Sequence, residues 1–192
     1  MSTDVKHVVY TSGLKTHTSK VVVIAQEDRD TEALLKSGGT PFTILRNGWY
    51  TENHMLSLAG SLEAGAWVGC AGTHAKFSCA PRADYATAAA AVLTSAPGTF
   101  EGRTVELAGD PEQAYTLPQL CEEISRQTGK QLPYQDVPLE DYVKVLASTG
   151  AELSSRSPAL RFVDFLRGRC VTRVCSSGNA VIDPLLVPTS PS

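Results

Sequence analysis

The chain has no C-x-x-C motif, no leader-like pattern in its first residues and no long apolar run, and each absence narrows what is expected of it. Its five cysteines, Cys70, Cys79, Cys121, Cys170 and Cys175, are an odd number without paired spacing. That argues against a disulfide-stapled scaffold, and a reducing compartment, the cytoplasm, is expected. Residues 1–10, MSTDVKHVVY, lack a basic region followed by an apolar one. No stretch approaches the roughly 18 apolar residues that a membrane-spanning helix needs. The net charge of -3 provides no basic field for nucleic acid or an anionic membrane. The four histidines, His7, His17, His54 and His74, have no ligand spacing among themselves or with cysteine. We assign them to surface or loop positions, and Cys170 and Cys175 lack the second pair that a zinc site requires.

Phosphate-binding and acid–base signatures are missing too. There is no G-x-G-x-x-G, and Gly69-x-x-Gly72 is a partial match with no helix after it. A Tyr-x-x-x-Lys acid pair is absent, because Tyr10 and Lys15 stand one residue too far apart. Ser12-x-x-Lys15 has none of the companion motifs of a serine acylase.

What remains is an ordinary globular composition. The 192 residues are 42% hydrophobic and 19% charged, enough for one large domain or for a domain with an appendage. Charge is uneven: residues 1–150 carry 12 basic and 17 acidic side chains, whereas residues 151–192 carry five basic, all arginine, and three acidic. That final segment is read separately.

Residues 5–10, VKHVVY, form a β-rich run, ended by Thr11, Ser12 and Gly13. A helix is expected over residues 22–36, with Ile24, Thr31, Leu34 and Leu35 on its apolar face. Gly38, Gly39 and Pro41 stop it. Residues 41–53, PFTILRNGWYTEN, begin with an apolar strand containing Phe42, Ile44 and Leu45, then turn polar and aromatic. Strand, helix and strand in succession imply a parallel crossover. In open α/β sheets ligands bind outside the carboxyl ends of strands. The pattern alone fits a binding loop and a solvated connection equally.

Further helices are expected over residues 54–64, 82–93, 116–128 and 139–148, with strands near 66–71, 104–108 and 131–137. Thr116 and Gln119 have the side chains of a capping box. Asp84 suits the dipole at the start of its helix, and Trp67, Tyr85 and Tyr115 suit a core.

The segments HVVYTSGL, TEALLKSG, LRNGWYTEN, RADYATAAAAVL and TVELAGD stand in the order, and near the spacing, of NmrA-like atypical short-chain dehydrogenases. Residues 4–148 resemble that family, in particular its NAD(P)H:quinone oxidoreductase type 2 branch. The resemblance implies an α/β fold, a partial Rossmann-like parallel sheet with a small C-terminal α/β substrate-side lobe. Residues 1–110 would be the C-terminal part of the NAD(P)-binding domain, residues 111–150 the lobe and residues 151–192 an atypical tail.

The implied activity is hydride transfer from NADPH or NADH to a quinone or a similar flat acceptor. Thr11, Ser12, Asn47 and Gly48 would border the nicotinamide. Asn47 and Tyr50 would be the catalytic residues, the amide hydrogen-bonding a quinone oxygen as charge develops. Tyr50 or Trp49 would wall the flat ring. Positioning supplies much of the rate in direct hydride transfer, so no dedicated acid is required.

Three departures from the family carry expectations of their own. The glycine-rich half of such a domain is expected about a hundred residues upstream of Val5, so this chain alone is expected to bind a dinucleotide weakly or not at all. It would also expose the VKHVVY edge, a route to a homo-oligomer. Asp28 stands where the family commonly has histidine, and a carboxylate there would disfavour an anionic cofactor. Residues 151–192, rich in Arg, Ser, Cys and Pro and without Lys, have the composition of an out-of-frame or alternatively spliced end. The alternative to an enzyme is a non-catalytic, dinucleotide-sensing regulatory module or an inactive fragment.

Overall fold

The computed structural model describes residues 4–17 and 22–148, with the side chains of residues 22–24 left aside. The expected tail at 151–192 lies outside the described residues. Strand β1 (Val8–Gly13), helix α1 (Val22–Ser37) and strand β2 (Phe42–Asn47) form the anticipated parallel crossover. β1 starts three residues later than the β-rich run suggests, and it includes Thr11, Ser12 and Gly13 instead of ending at them. The small polar residues continue the strand because β2 offers them a full ladder, with Ser12 opposite Arg46 and Gly13 opposite Asn47.

β2 is the centre of the sheet. Thr43, Ile44, Leu45 and Arg46 are all buried, and the order is β1–β2–β5, all parallel, with β5 at Arg103–Leu107. Between β2 and β5 the chain makes helices α2 (Thr51–Met55) and α3 (Leu58–Ala64), strands β3 (Trp67–Gly69) and β4 (Lys76–Phe77), and helix α4 (Arg82–Thr94). The single helix expected over 54–64 is thus two, separated at Leu56 and Ser57, and Leu56 is left 70% exposed.

The two faces of the sheet are covered differently. On one, α4 presents Tyr85, Ala88 and Val92, spaced at i, i+3 and i+7, to Leu45, Phe100 and Leu107. Alanines at the other inward positions let that helix lie close. On the other face, α1 uses the anticipated apolar stripe only in part: Thr31 and Leu35 are half-buried, and the side chain of Ile24 lies outside the described residues. Leu34 is 71% exposed, and the buried positions are Ala25 and Glu32. An acidic residue faces inward because β2 supplies a buried arginine for it.

The chain ends its described part with a 3-10 turn (Pro111–Gln113), strand β6 (Tyr115–Thr116), helix α5 (Leu117–Thr128), strand β7 (Tyr134–Asp136) and helix α6 (Leu139–Ser148). The capping box is formed in both directions. Gln119 N donates to Thr116 Oγ1 and Thr116 N to Gln119 Oε1. Gly129 closes α5 at φ 70°, the left-handed conformation that lacks a penalty only for glycine. β7 pairs parallel with β3, and β6 antiparallel with β4. Trp67, Cys121, Ile124 and Leu132 form one small core there, and Ala75, Phe77 and Leu117 another.

Candidate active site at the end of the central strand

β2 delivers Arg46 and Asn47 at its carboxyl end, and the next residues cross to the start of α4. Trp49 O accepts from Ala80 N (3.3 Å), Thr51 N donates to Ala80 O (3.0 Å), and Tyr50 bridges Ala80 in parallel. Three contacts from Arg82 hold the loop down. Its backbone N donates to both Glu52 carboxylate oxygens (3.0 and 3.1 Å), its Nη2 to Asn53 Oδ1 (3.2 Å), and its guanidinium lies 5.2 Å from the Tyr50 ring centroid.

Within that loop Asn47 Nδ2 donates to the Tyr50 hydroxyl at 3.3 Å. Asn47 Oδ1 is buried and has no partner, and so is the Tyr85 hydroxyl. The Tyr50 and Tyr85 rings meet edge to face at 5.2 Å. Burial pushes the Tyr85 phenol far up, so it stays protonated. Gly48 lets the chain pass close: a Cβ there would lie 3.0 Å from the Tyr85 hydroxyl and 3.1 Å from Leu107 O, so a larger residue requires those neighbours to give way.

The expected site residues fall into two groups. Asn47, Gly48 and Tyr50 come together in the loop. Thr11 and Ser12 lie on the neighbouring strand, with Ser12 and Arg46 side by side on the α1 face. The Ser12 hydroxyl donates to Glu32 Oε1 at 2.8 Å, and Arg46 meets both Glu32 oxygens through Nε (2.9 Å) and Nη2 (2.7 Å). Arg46 Nη1 also reaches His17 Nδ1 (2.7 Å) and Glu106 Oε1 (3.4 Å). The Arg46 hydrogen bonds, helped by Ser12 and Lys36, hold the Glu32 carboxyl down at about 2 against the opposing effect of burial.

Asp28 has a use that the sequence did not reveal. Its Oδ1 accepts from the Tyr10 hydroxyl (2.9 Å) and its Oδ2 from Gly13 N (3.0 Å), tying α1 to the end of β1.

His54 is the residue that sequence reasoning misplaced. It is 2% exposed, not a surface or loop group. Its ring lies among Phe77 (5.2 Å), Tyr115 (6.0 Å), Trp49 and Trp67 (both 6.4 Å), and its Nε2 is 3.5 Å from Cys79 Sγ. Burial lowers its pKa to about 4 and raises that of the Cys79 thiol to about 11, so both are neutral. Neither is poised as a nucleophile or base. The local signal was its position three residues after Thr51 in a short amphipathic turn, too little to separate buried from exposed. His7 is half-buried against Thr43 Oγ1 at 2.9 Å, while His17 and His74 are exposed as expected.

An open cavity of about 690 Å³ beside α5 is lined by residues including Cys121, Glu122, Ser125, Leu132 and Tyr134, and by none of the expected site residues. No group of three or more His, Cys, Asp or Glu side chains suited to a metal occurs among the described residues. No described helix is long and apolar enough to cross a membrane.

A parallel α/β sheet with a polar, aromatic loop at its central strand end defines a Rossmann-like protein. Residues 2–157 match the NmrA-like family. Quinone oxidoreductase 2 of Escherichia coli strain K12 is 44% identical over 146 residues, covering 76% of this chain and 49% of that protein. The crystal structure of the E. coli NADPH-dependent quinone oxidoreductase QOR2 complexed with NADPH aligns at TM-score 0.74 and 40% identity, over 85% of this chain and 55% of that one. The Citrobacter sp. triphenylmethane reductase complexed with NADP(H) aligns at TM-score 0.72 and 28% identity, over 86% and 55%. The chain belongs to the NmrA-like family, and it spans about half the length of these relatives.

Proposed function

We propose that this chain carries the acceptor side of an NAD(P)H-dependent quinone oxidoreductase site. The observation behind the reading is the Asn47–Tyr50 pair at the carboxyl end of β2, where one buried amide oxygen is left unpartnered. A buried polar atom without a partner costs about 1–3 kcal/mol, and such atoms concentrate where a ligand or water completes the set. By this reading Asn47 and Gly48 border the nicotinamide end of the cofactor from β2 and Thr11 and Ser12 from the end of β1, the Ser12 hydroxyl being given to Glu32 so that only its backbone is offered. When bound, the nicotinamide supplies the hydride that reduces a quinone to a hydroquinone.

This chain's own contribution is positioning. The Tyr50 hydroxyl is the donor for a quinone oxygen, with Asn47 behind it, and the Tyr50 ring provides the wall. Arg82 fixes that ring's tilt. The Glu32–Arg46–Ser12 set holds β1 and β2 in register beneath the site. By the same reading, residues 1–110 belong with the dinucleotide domain and residues 111–150 with the acceptor-side lobe. β1 is the edge of the described sheet, and a second copy of this chain is the partner proposed for it.

NADPH titration followed by its fluorescence, and quinone-dependent NADPH oxidation at 340 nm, test the reading. We expect quinone-dependent turnover when the upstream half of a relative is joined to this chain, and at least a tenfold loss on Tyr50→Phe. Dinucleotide binding without turnover in that fusion would favour the sensing module and overturn the enzyme.

A further inference from the structure

We propose that Tyr85 and Asn47 form a carboxamide-binding pair, the Tyr85 phenol donating to the amide oxygen of the nicotinamide and Asn47 Oδ1 accepting from its N–H. This rests on the reading that the loop borders that end of the cofactor, and it adds Tyr85, a residue of α4, to the site. Asn47 Oδ1 and the Tyr85 hydroxyl are both buried without partners, and they are of opposite kinds. The amide oxygen only accepts, while the hydroxyl carries a proton that no acceptor takes up. Tyr85 as a whole is 5% exposed, so water in bulk does not serve it.

The two atoms are neighbours. Asn47 follows Leu45 by two positions, so its side chain leaves β2 on the face where Leu45 and Tyr85 share one apolar cluster. The Tyr85 hydroxyl reaches the residue after Asn47, since a Cβ on Gly48 would lie 3.0 Å from it. Tyr50 touches both. Its hydroxyl takes Asn47 Nδ2 at 3.3 Å, and its ring meets the Tyr85 ring edge to face at 5.2 Å. With Nδ2 given to Tyr50, Oδ1 is the end of the amide left for a ligand. Although one could donate to the other, the hydroxyl and Oδ1 do not satisfy each other. A group carrying an acceptor and a donor side by side completes both.

Ligand chemistry narrows the choice. A quinone oxygen only accepts, so it would serve Tyr85 and leave Asn47 Oδ1 bare. A hydroquinone O–H matches both atoms, but the acceptor has to enter oxidised. A primary carboxamide carries C=O and N–H on one carbon, and the nicotinamide keeps its carboxamide in both oxidation states. A site with buried polar groups rejects a ligand that leaves one of them unpaired. Matched at both ends, the carboxamide lies only one way round, which fixes the turn of the ring that bears it. Tyr85 therefore binds and orients the cofactor and moves neither hydride nor proton.

Two small probes separate the two hydrogen bonds. Nicotinamide has both amide groups, whereas 3-acetylpyridine keeps the carbonyl oxygen and has a methyl group in place of the NH2. Each is titrated into the 192-residue chain and followed by saturation-transfer NMR, because so few atoms bind only weakly. The unmodified chain should prefer nicotinamide by about fivefold. Tyr85→Phe should weaken both probes by about fivefold and keep the preference. Asn47→Ala should weaken nicotinamide alone, down to the affinity of 3-acetylpyridine, and it tests the pair by itself if the phenylalanine variant does not fold. Equal affinity for the two probes in the unmodified chain, or unchanged affinities in either variant, assigns the buried atoms to water and overturns the pair. Failure of nicotinamide to bind overturns it as well. None of these outcomes decides the quinone reading, which stands or falls on turnover by the fusion.

Discussion

The two faces of the central strand make the most informative comparison in the molecule. Leu45 and Arg46 are neighbours in β2, 0% and 8% exposed, and they face opposite ways. Leu45 packs into an apolar layer with Tyr85, Ala88, Val92 and Leu107. Arg46 joins an ionic layer with Glu32, Ser12, Glu106 and His17. An apolar layer loses stability in proportion to what is cut from it. The ionic layer behaves otherwise: its charges are costly to bury and valuable only together, so removing one partner strands the other. The ionic face is thus the one that tolerates piecemeal change least, while Tyr50 and Tyr85 of the candidate site pack with the apolar one.

The largest expected effect tests that asymmetry. Arg46→Ala leaves Glu32 buried without its cation and should destabilise by about 3–5 kcal/mol in urea unfolding. The double replacement Arg46→Met with Glu32→Leu should recover most of the loss, because neither charge is stranded. Leu45→Ala should cost about 2–5 kcal/mol, with no second-site replacement on α1 to rescue it. Equal losses for the single and double replacements would dissolve the distinction between the faces.

Acid separates the contributors in a different way. Glu32 has a lowered folded pKa, so its contribution is complete above its ordinary 4.5 and is lost as pH falls towards about 2. His54 also has a lowered pKa, from 6.5 to about 4, because burial favours its neutral form. For a base the unfolded chain binds the extra proton first, so stability falls with pH between those two values. Melting temperature should therefore decline in two stages, first between pH 6.5 and 4 and then below 4.5. His54→Phe should flatten only the first stage. A first stage unchanged in that variant would assign it to other groups.

The smallest expected effect lies in the lobe. Thr116→Ala removes one half of the capping box on α5 and should cost about 1 kcal/mol. That loss should leave acid sensitivity untouched, since no part of the ionic layer reaches α5.

Legibility of the sequence follows the same division. The apolar face could be read because Ile44 and Leu45 form a run and the alanine-rich helix has stops at both ends. The caps of α5 could be read because their chemistry is local. The ionic face could not, since Glu32 and Arg46 are 14 positions apart and look like ordinary surface charges until the crossover brings them together. Leu34 shows the converse: an apolar residue at helical spacing reads as inward-facing, and it is solvated. In the candidate site, the order of residues 46–53 was legible as a strand end. The grip of Arg82 and the buried place of His54 depend on Ala80 and the lobe returning to the loop, contacts that no local pattern encodes.

The bridge between Tyr50 and Ala80 has a mechanical consequence. Three separate stretches of chain meet in one patch there: Trp49 and Thr51 bond Ala80, Gly48 N donates to Leu107 O, and Gly109 N donates to Ser78 O. A loop sewn to two distant segments cannot shift against one without straining the other. Gly48 and Tyr50 lie inside that seam, so the floor of the candidate site is braced by backbone and not by side chains alone.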